Sequence, residues 1–283
     1  MGHPDSFSVL GWFERFAFRT MRSLNQGACS AIGWFWQRSV ITPLIGLLVN
    51  RRLTIHGHHH LDALPADAPV LLVANHRTFF DLFVLGWVFM REPKLRRRVS
   101  FPVRSNFFYE GPLGLFLCII ATGGSMFPPF FRAAEKKAMN RVSLEILLTK
   151  LRTPGQMIGF HPEGTRNKTA DPYALLPAQP GAGELALKAR PLVVPAFILG
   201  MSNGFWAELK ANLRGESPVT AVFGAPVELP ETPPETRLSH HKRCADLINQ
   251  RIAELGEQVR GLRGEQRITS GSSPPASPDP PAT

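Results

Sequence analysis

Cysteine is sparse and scattered in this chain: Cys29, Cys118 and Cys244 stand far apart, two of them among apolar neighbours. That spacing argues against a disulfide framework and a thiolate metal site, and it fits a reducing compartment. Acidic residues are also in deficit, 22 against 32 Lys and Arg, which leaves a formal net charge of +10 and a surface that attracts polyanions. Zinc-finger spacing, an RNA-recognition signature and a basic helix leading into heptads are all missing, so nucleic acid is not the expected partner. Anionic membrane lipids and phosphorylated substrates are. Clean membrane-spanning runs are lacking too. Gln37, Arg38 and Pro43 interrupt the apolar stretch from Ala28 to Val49, which is expected to form a helical hairpin dipping into one leaflet. Pro112, Gly114, Gly123, Gly124, Pro128 and Pro129 would break a helix in the charge-free stretch Gly111 to Phe131, expected as buried core or a lipid-facing tunnel wall. The opening has His3, Pro4 and Asp5 in place of a basic cluster, and Glu14 and Arg15 interrupt its apolar residues. It does not read as a secretory signal, so the start is expected to be retained.

What is present is a chain large and apolar enough, at 283 residues and 44% hydrophobic, for one domain with a substantial core. Leu10, Phe13, Ala17, Met21 and Leu24 recur three or four apart while Arg15, Arg19 and Arg22 share another face, which predicts an amphipathic helix with a basic side. Phe7, Trp12, Phe16 and Phe18, followed by Trp34, Phe35 and Trp36, add rings of the kind that favour a membrane interface. Val70 to Ala74, Gln156 to Phe160, Leu192 to Leu199 and Val219 to Phe223 read as strands, several without polar alternation, as strands buried on both faces do. Helical spacing runs through Ala133 to Leu151 and His241 to Val259. The fold class expected is therefore α/β: a central, mostly parallel sheet flanked by helices and preceded by an N-terminal membrane-associated helical hairpin. Residues 1–50 form the membrane-association segment, 51–262 the α/β domain, and 263–283, rich in Ser, Pro and Gly, a disordered tail.

Two motifs carry chemistry. The strand Val70 to Ala74 runs into Asn75-His76-Arg77-Thr78-Phe79-Phe80-Asp81, after which helical spacing resumes through Leu82, Leu85 and Val88. Two residues five apart within one helix point about 140° away from each other, so His76 and Asp81 meet only if His76 precedes the helix and Asp81 lies in its early turns. A carboxylate on one imidazole nitrogen sets the tautomer and leaves the other nitrogen to take a proton from a hydroxyl. The same pair could also be a helix-start cap with no catalytic role. The second motif, His161-Pro162-Glu163-Gly164-Thr165-Arg166, follows the strand ending at Phe160, and strand ends of α/β sheets are where ligands bind. Arg166 can grip a phosphate, Thr165 and backbone N–H groups can add donors, and Glu163 can accept from a hydroxyl.

N-H-x-x-x-x-D followed downstream by F-H-P-E-G-T-R resembles the PlsC-type family of 1-acylglycerol-3-phosphate and related glycerolipid acyltransferases, with family-like order over roughly Arg51 to Leu229. The resemblance implies an acyl-CoA or acyl-carrier-protein donor as co-substrate, no bound cofactor, no metal and no covalent acyl-enzyme. It assigns His76 as base, Asp81 as its partner, Glu163, Gly164, Thr165 and Arg166 to the lysophospholipid acceptor, and Val194-Pro195 to the acyl site. It also implies a membrane-associated enzyme on the cytoplasmic face. One departure stands out: the family places an arginine about five residues after a glycine, and here Gly124 is followed at that distance by Pro129. Arg132 is the nearest replacement, and Arg104 is an approximate match to a basic position upstream, so acceptors other than 1-acylglycerol-3-phosphate, such as lyso-ornithine lipid, stay open. Backbone donors near the helix start are expected to stabilise the oxyanion.

Two rival classes remain. His76, Asp81, His161 and Glu163 could be metal ligands of a hydrolase, although Gly-Thr-Arg suits an anion better than a cation. The basic N-terminus alone could make a non-enzymatic membrane-binding module, which leaves both motifs unexplained. His58-His59-His60 reads as a turn before Leu61, and Lys94 with Arg96, Arg97 and Arg98 as a donor-binding or solvated charge run.

Overall fold

The computed structural model describes residues 7–231 and 237–265. His3 to Asp5, and the expected tail beyond residue 265, lie outside them. Eight strands, β1 (Leu53–His56), β2 (Val70–Ala74), β3 (Arg98–Ser100), β4 (Val103–Arg104), β5 (Pro129–Phe130), β6 (Gln156–Phe160), β7 (Leu192–Leu199) and β8 (Val219–Phe223), are interleaved with helices. The helices are α1 (Trp12–Gln26), α2 (Ser30–Trp36), α3 (Thr42–Val49), α4 (His58–Asp62), α5 (Asp81–Arg91), α6 (Ser105–Phe108), α7 (Pro112–Thr122), α8 (Lys137–Leu151), α9 (Pro180–Ala189), α10 (Phe205–Arg214) and α11 (Leu238–Arg263). The histidine run is thus a short helix, not a plain turn.

Six strands form one sheet in the order β1-β8-β7-β2-β6-β3, in which only the β7–β8 pairing is antiparallel, while β4 and β5 make a separate two-stranded ladder. Because side chains alternate across a strand, the central ones feed two packed layers. Val70, Leu72, Ala74, Val194 and Ile198 face a core shared with α1, α3, α5 and α7; Leu71, Val73, Ile158, Val193 and Phe197 face α8, α9 and α11. The site described below sits where β2 and β6 end side by side.

α1 turns at Gly27 into a continuous rod from Ser30 to Val49, with a π-helical turn at Gln37–Ile41. The widened turn precedes Pro43, which offers no N–H to the helix, and the Gln37 carbonyl accepts both the Thr42 N–H and, at 2.8 Å, its Oγ1 hydroxyl. By length and composition this rod could cross a membrane, yet Ile41, Ile45, Leu48 and Val49 are buried in the fold.

The Gly111 to Phe131 stretch departs from expectation. Pro112 stands in the first helical turn, where a missing N–H costs nothing, and Gly123, at φ +55°, caps the other end, so the supposed breakers punctuate α7 instead of preventing it. Nor is α7 buried core: Leu113, Phe116, Leu117 and Ile120 are exposed.

Candidate active site

β2 delivers the chain to Asn75, whose side-chain amide exchanges two hydrogen bonds with the backbone of Ile198, Nδ2 to the carbonyl at 2.9 Å and the Ile198 N–H to Oδ1 at 2.8 Å. This extends the β2–β7 ladder by one side chain and sets where the strand peels away. His76 follows outside any helix, and Asp81 opens α5, the arrangement that lets residues five apart meet. His76 Nδ1 lies 3.4 Å from Asp81 Oδ2, longer than a strong hydrogen bond, as such contacts often are without substrate. The same Oδ2 accepts the N–H groups of Arg77 and Thr78 at 2.7 Å each, and Oδ1 accepts the Thr78 hydroxyl at 2.5 Å. Asp81 is the first residue of α5 and accepts from the turn before it, not from the first N–H groups of the helix, so it ties down that turn and orients His76 without capping the helix. Its side chain is 2% exposed, against 21% for His76, so the imidazole edge away from Asp81 is the reachable one.

His161 lies flat against His76, ring centroids 3.8 Å apart and planes 7° from parallel, with its Nδ1 3.0 Å from the Ala74 carbonyl. Burial, and then the charge of His76, pull the His161 pKa down to about 3, so it stays neutral beneath its neighbour. The stacking also bears on metal binding. Donor atoms of His76, Asp81 and His161 fall within 4.8 Å of one another. Lone pairs in two stacked, parallel rings cannot converge on one ion at the roughly 2.0–2.1 Å a metal–imidazole bond needs. Nδ1 of His161 faces a carbonyl and so carries a proton. The donor set does not fit a metal.

Glu163 engages the backbone through both carboxylate oxygens. Oε1 accepts the His76 backbone N–H at 2.9 Å and Oε2 accepts that of Leu176 at 2.7 Å, in a residue 2% exposed. Burial raises its pKa and these two bonds oppose the rise. It ties the His76 loop to the chain after β6, a role different from the hydroxyl contact expected of it. Asn167, buried four residues later, adds a second tie by donating its N–H to the His76 carbonyl at 2.7 Å.

Three arginines gather above this frame. Gly164, at φ +66°, turns the chain so that its carbonyl accepts from Arg104 Nη2 at 2.9 Å. Arg104 has its pKa lowered by burial and, next, by the positive charges of Arg132 and Arg166. Arg132 and Arg166 are exposed, as is Thr165, and among the described residues none of the three guanidiniums has a salt bridge to a carboxylate. Arg166 donates through Nη1 to Asn203 Oδ1 at 3.1 Å, and that oxygen also accepts the Phe79 N–H at 2.9 Å. Asn203, in the loop after β7, carried no signal in sequence because its partners come from two distant motifs. Asn75 did stand beside His76 in the first motif.

The N–H groups of Arg77, Thr78 and Phe79, in the turn before α5, donate to Asp81 and Asn203. Val194 and Pro195, expected at the acyl site, are buried within the sheet, paired with Leu72 and Val73.

A family model described as Acyltransferase matches residues 52–199. A 1-acyl-sn-glycerol-3-phosphate acyltransferase of Chlamydomonas reinhardtii is 28% identical over 163 residues, a stretch covering 58% of this chain and 43% of that protein. The chain thus spans less than half the length of this relative.

Proposed function

The chain belongs to the acyltransferase family, of PlsC type, and from that premise we propose that it moves a fatty acyl group from acyl-CoA or acyl-carrier protein to the free hydroxyl of a lysophospholipid. The acceptor proposed is 1-acylglycerol-3-phosphate, giving phosphatidate. The observation that carries this is that Arg104 bonds the Gly164 carbonyl with the charges of Arg132 and Arg166 close by, on a turn whose neighbouring Glu163 accepts the His76 N–H. Like charges brought together without an acid suit a phosphate, and guanidinium suits it bidentately.

In the proposed reaction, His76 Nε2 takes the acceptor's hydroxyl proton as its oxygen attacks the thioester carbonyl. Asp81 holds Nδ1–H and stabilises the imidazolium. The C–S bond then breaks, the thiolate takes the proton from His76, and ester and free thiol leave. Neither a metal nor an acyl-enzyme takes part. His161, neutral under the ring, adds no second positive charge against the imidazolium. The site is proposed to work at the cytoplasmic face of a membrane, where the thioester donors are found. Lyso-ornithine lipid is the alternative acceptor, and Pro129 in place of the family's arginine favours it.

The test is incubation of the protein with mixed lysolipids and a long-chain acyl-CoA, and in parallel acyl-carrier protein, beside His76→Ala, with products identified by mass spectrometry. A diacyl phosphate product absent from the mutant supports the proposal. A diacyl product lacking phosphate would support the alternative, and no product with either donor in the presence of membrane would refute acyl transfer to these acceptors.

A further inference from the structure

Exposed large apolar side chains are concentrated on one side of the molecule. Among the described residues, all but Leu238 and Leu262 belong to elements packed on the Leu72 face of the sheet. The densest part is α7, where Leu113, Phe116, Leu117 and Ile120 stand at positions i, i+3, i+4 and i+7 with 69, 59, 46 and 43% exposure. A helix docked on a core needs one apolar stripe, and Leu115 and Cys118 supply it. α7 has a second stripe facing outward and no charged residue in its length.

This stripe is continuous with its surroundings. On one side the Trp36 indole N–H donates to the Ile120 carbonyl at 2.8 Å, joining α7 to α2, which exposes Ile32 and Phe35. On the other side α7 packs on α6, where Phe107 is exposed and meets the Phe108 ring at 4.8 Å. Phe108 in turn lies 6.4 Å, ring centre to ring centre, from Phe79, one of the four residues between His76 and Asp81. α1, packed on α2, exposes Trp12 and Phe16 together with Arg15, Arg19 and Arg22.

We propose that this face is a bilayer-docking surface, with α7 lying in the interface of an anionic membrane, α2 and the outer side of α1 beside it, and the His76 loop at its border. Charge decides between a bilayer and a second copy of the chain. A two-fold contact would bring the same arginines of α1 against one another, whereas anionic headgroups neutralise them. The docking is monotopic, because the C-terminal half of the Ser30–Val49 rod is already used by the core. It rests on the lipid acceptor of the proposed function and adds a route: the lysolipid reaches His76 along Phe107, Phe108 and Phe79 without leaving the apolar layer, its phosphate turned to the arginines.

The experiment is flotation of the full chain with vesicles of equal phosphatidylcholine and phosphatidylglycerol, comparing wild type with Leu113→Gln/Phe116→Gln. Both positions are exposed, so the fold is kept, as a thermal melt would verify. Removing two interfacial apolar side chains should weaken partitioning by about 10-fold or more. Wild-type hydrogen exchange over residues 112–122 should slow when vesicles are added, a readout independent of any variant. Unchanged partitioning with no protection would overturn the proposal, as would a wild-type dimer that the substitutions split without affecting vesicle binding. Turnover of a short-chain, vesicle-free lysophosphatidate separates the two claims: weakened partitioning with no turnover by either protein keeps the docking surface and rejects the acyltransfer reading, and turnover by both with unchanged partitioning does the reverse.

Discussion

Replacing Glu163 by glutamine separates a loop tie from an acceptor ligand. Both carboxylate oxygens accept backbone N–H groups, from His76 at 2.9 Å and from Leu176 at 2.7 Å. A glutamine keeps one acceptor and turns an NH₂ toward the other N–H, leaving a buried donor unpaired at about 1–3 kcal/mol. A smaller effect opposes this. Burial disfavours the ionised carboxylate, as its raised pKa records, and the neutral amide recovers part of that. The net loss should be about 1–2 kcal/mol, a fall in Tm of roughly 2–8 °C for a domain of this size. Since the bond to His76 holds the base in place, kcat should drop, by ~10²-fold if the imidazole moves ~1 Å. KM for the acceptor should hardly change, because the arginines are untouched. Thermal melts and initial rates against lysophosphatidate measure all three. A raised acceptor KM with Tm and kcat unchanged would show that Glu163 contacts the acceptor and would refute the argument.

His76→Ala should lose about 10²–10⁴ in rate and keep its Tm, whereas Asp81→Ala should lose both, because the N–H groups of Arg77 and Thr78 are left unpaired; equal melts for the two variants would contradict the dual role of Asp81. Arg166→Ala should raise the acceptor KM several-fold, most for phosphate-bearing lysolipids. Asn203→Ala should follow it in the same direction, and Asn203→Asp should raise the acceptor KM further by pairing with Arg166 and repelling the phosphate; a change confined to kcat in steady-state kinetics would count against the pairing. His161 binds no proton in the fold until about pH 3, against an ordinary value of 6.5, so the unfolded chain binds more protons between those values. Its stabilising contribution, complete above pH 6.5, is lost as pH falls toward 3; Tm against pH should be flatter over that range in His161→Gln, and an unchanged slope would show His161 is not the group responsible.

β2, β6, β7 and β8 were legible from sequence to the residue, because strands buried on both faces are written as short apolar runs bounded by turn residues. β1 and β3 were not: each is short and lies at a sheet edge, where half the hydrophobic signal is absent. α7 was misread because Pro112 and Gly123 act as breakers or as caps according to position alone, and position is known only once the ends of the helix are.

The linear chain determined the fold class and the chemistry of its two motifs, because burial pattern and residue type are local properties: an apolar run, a histidine after a strand, an arginine after a glycine. Tertiary structure alone decided direction. It turned Glu163 inward to two backbone N–H groups, laid His161 flat on His76, and drew Arg104, Arg132 and Arg166 together from three separate segments. Each of these depends on contacts between segments far apart in sequence, and on which face of a loop is left after the core has taken the other.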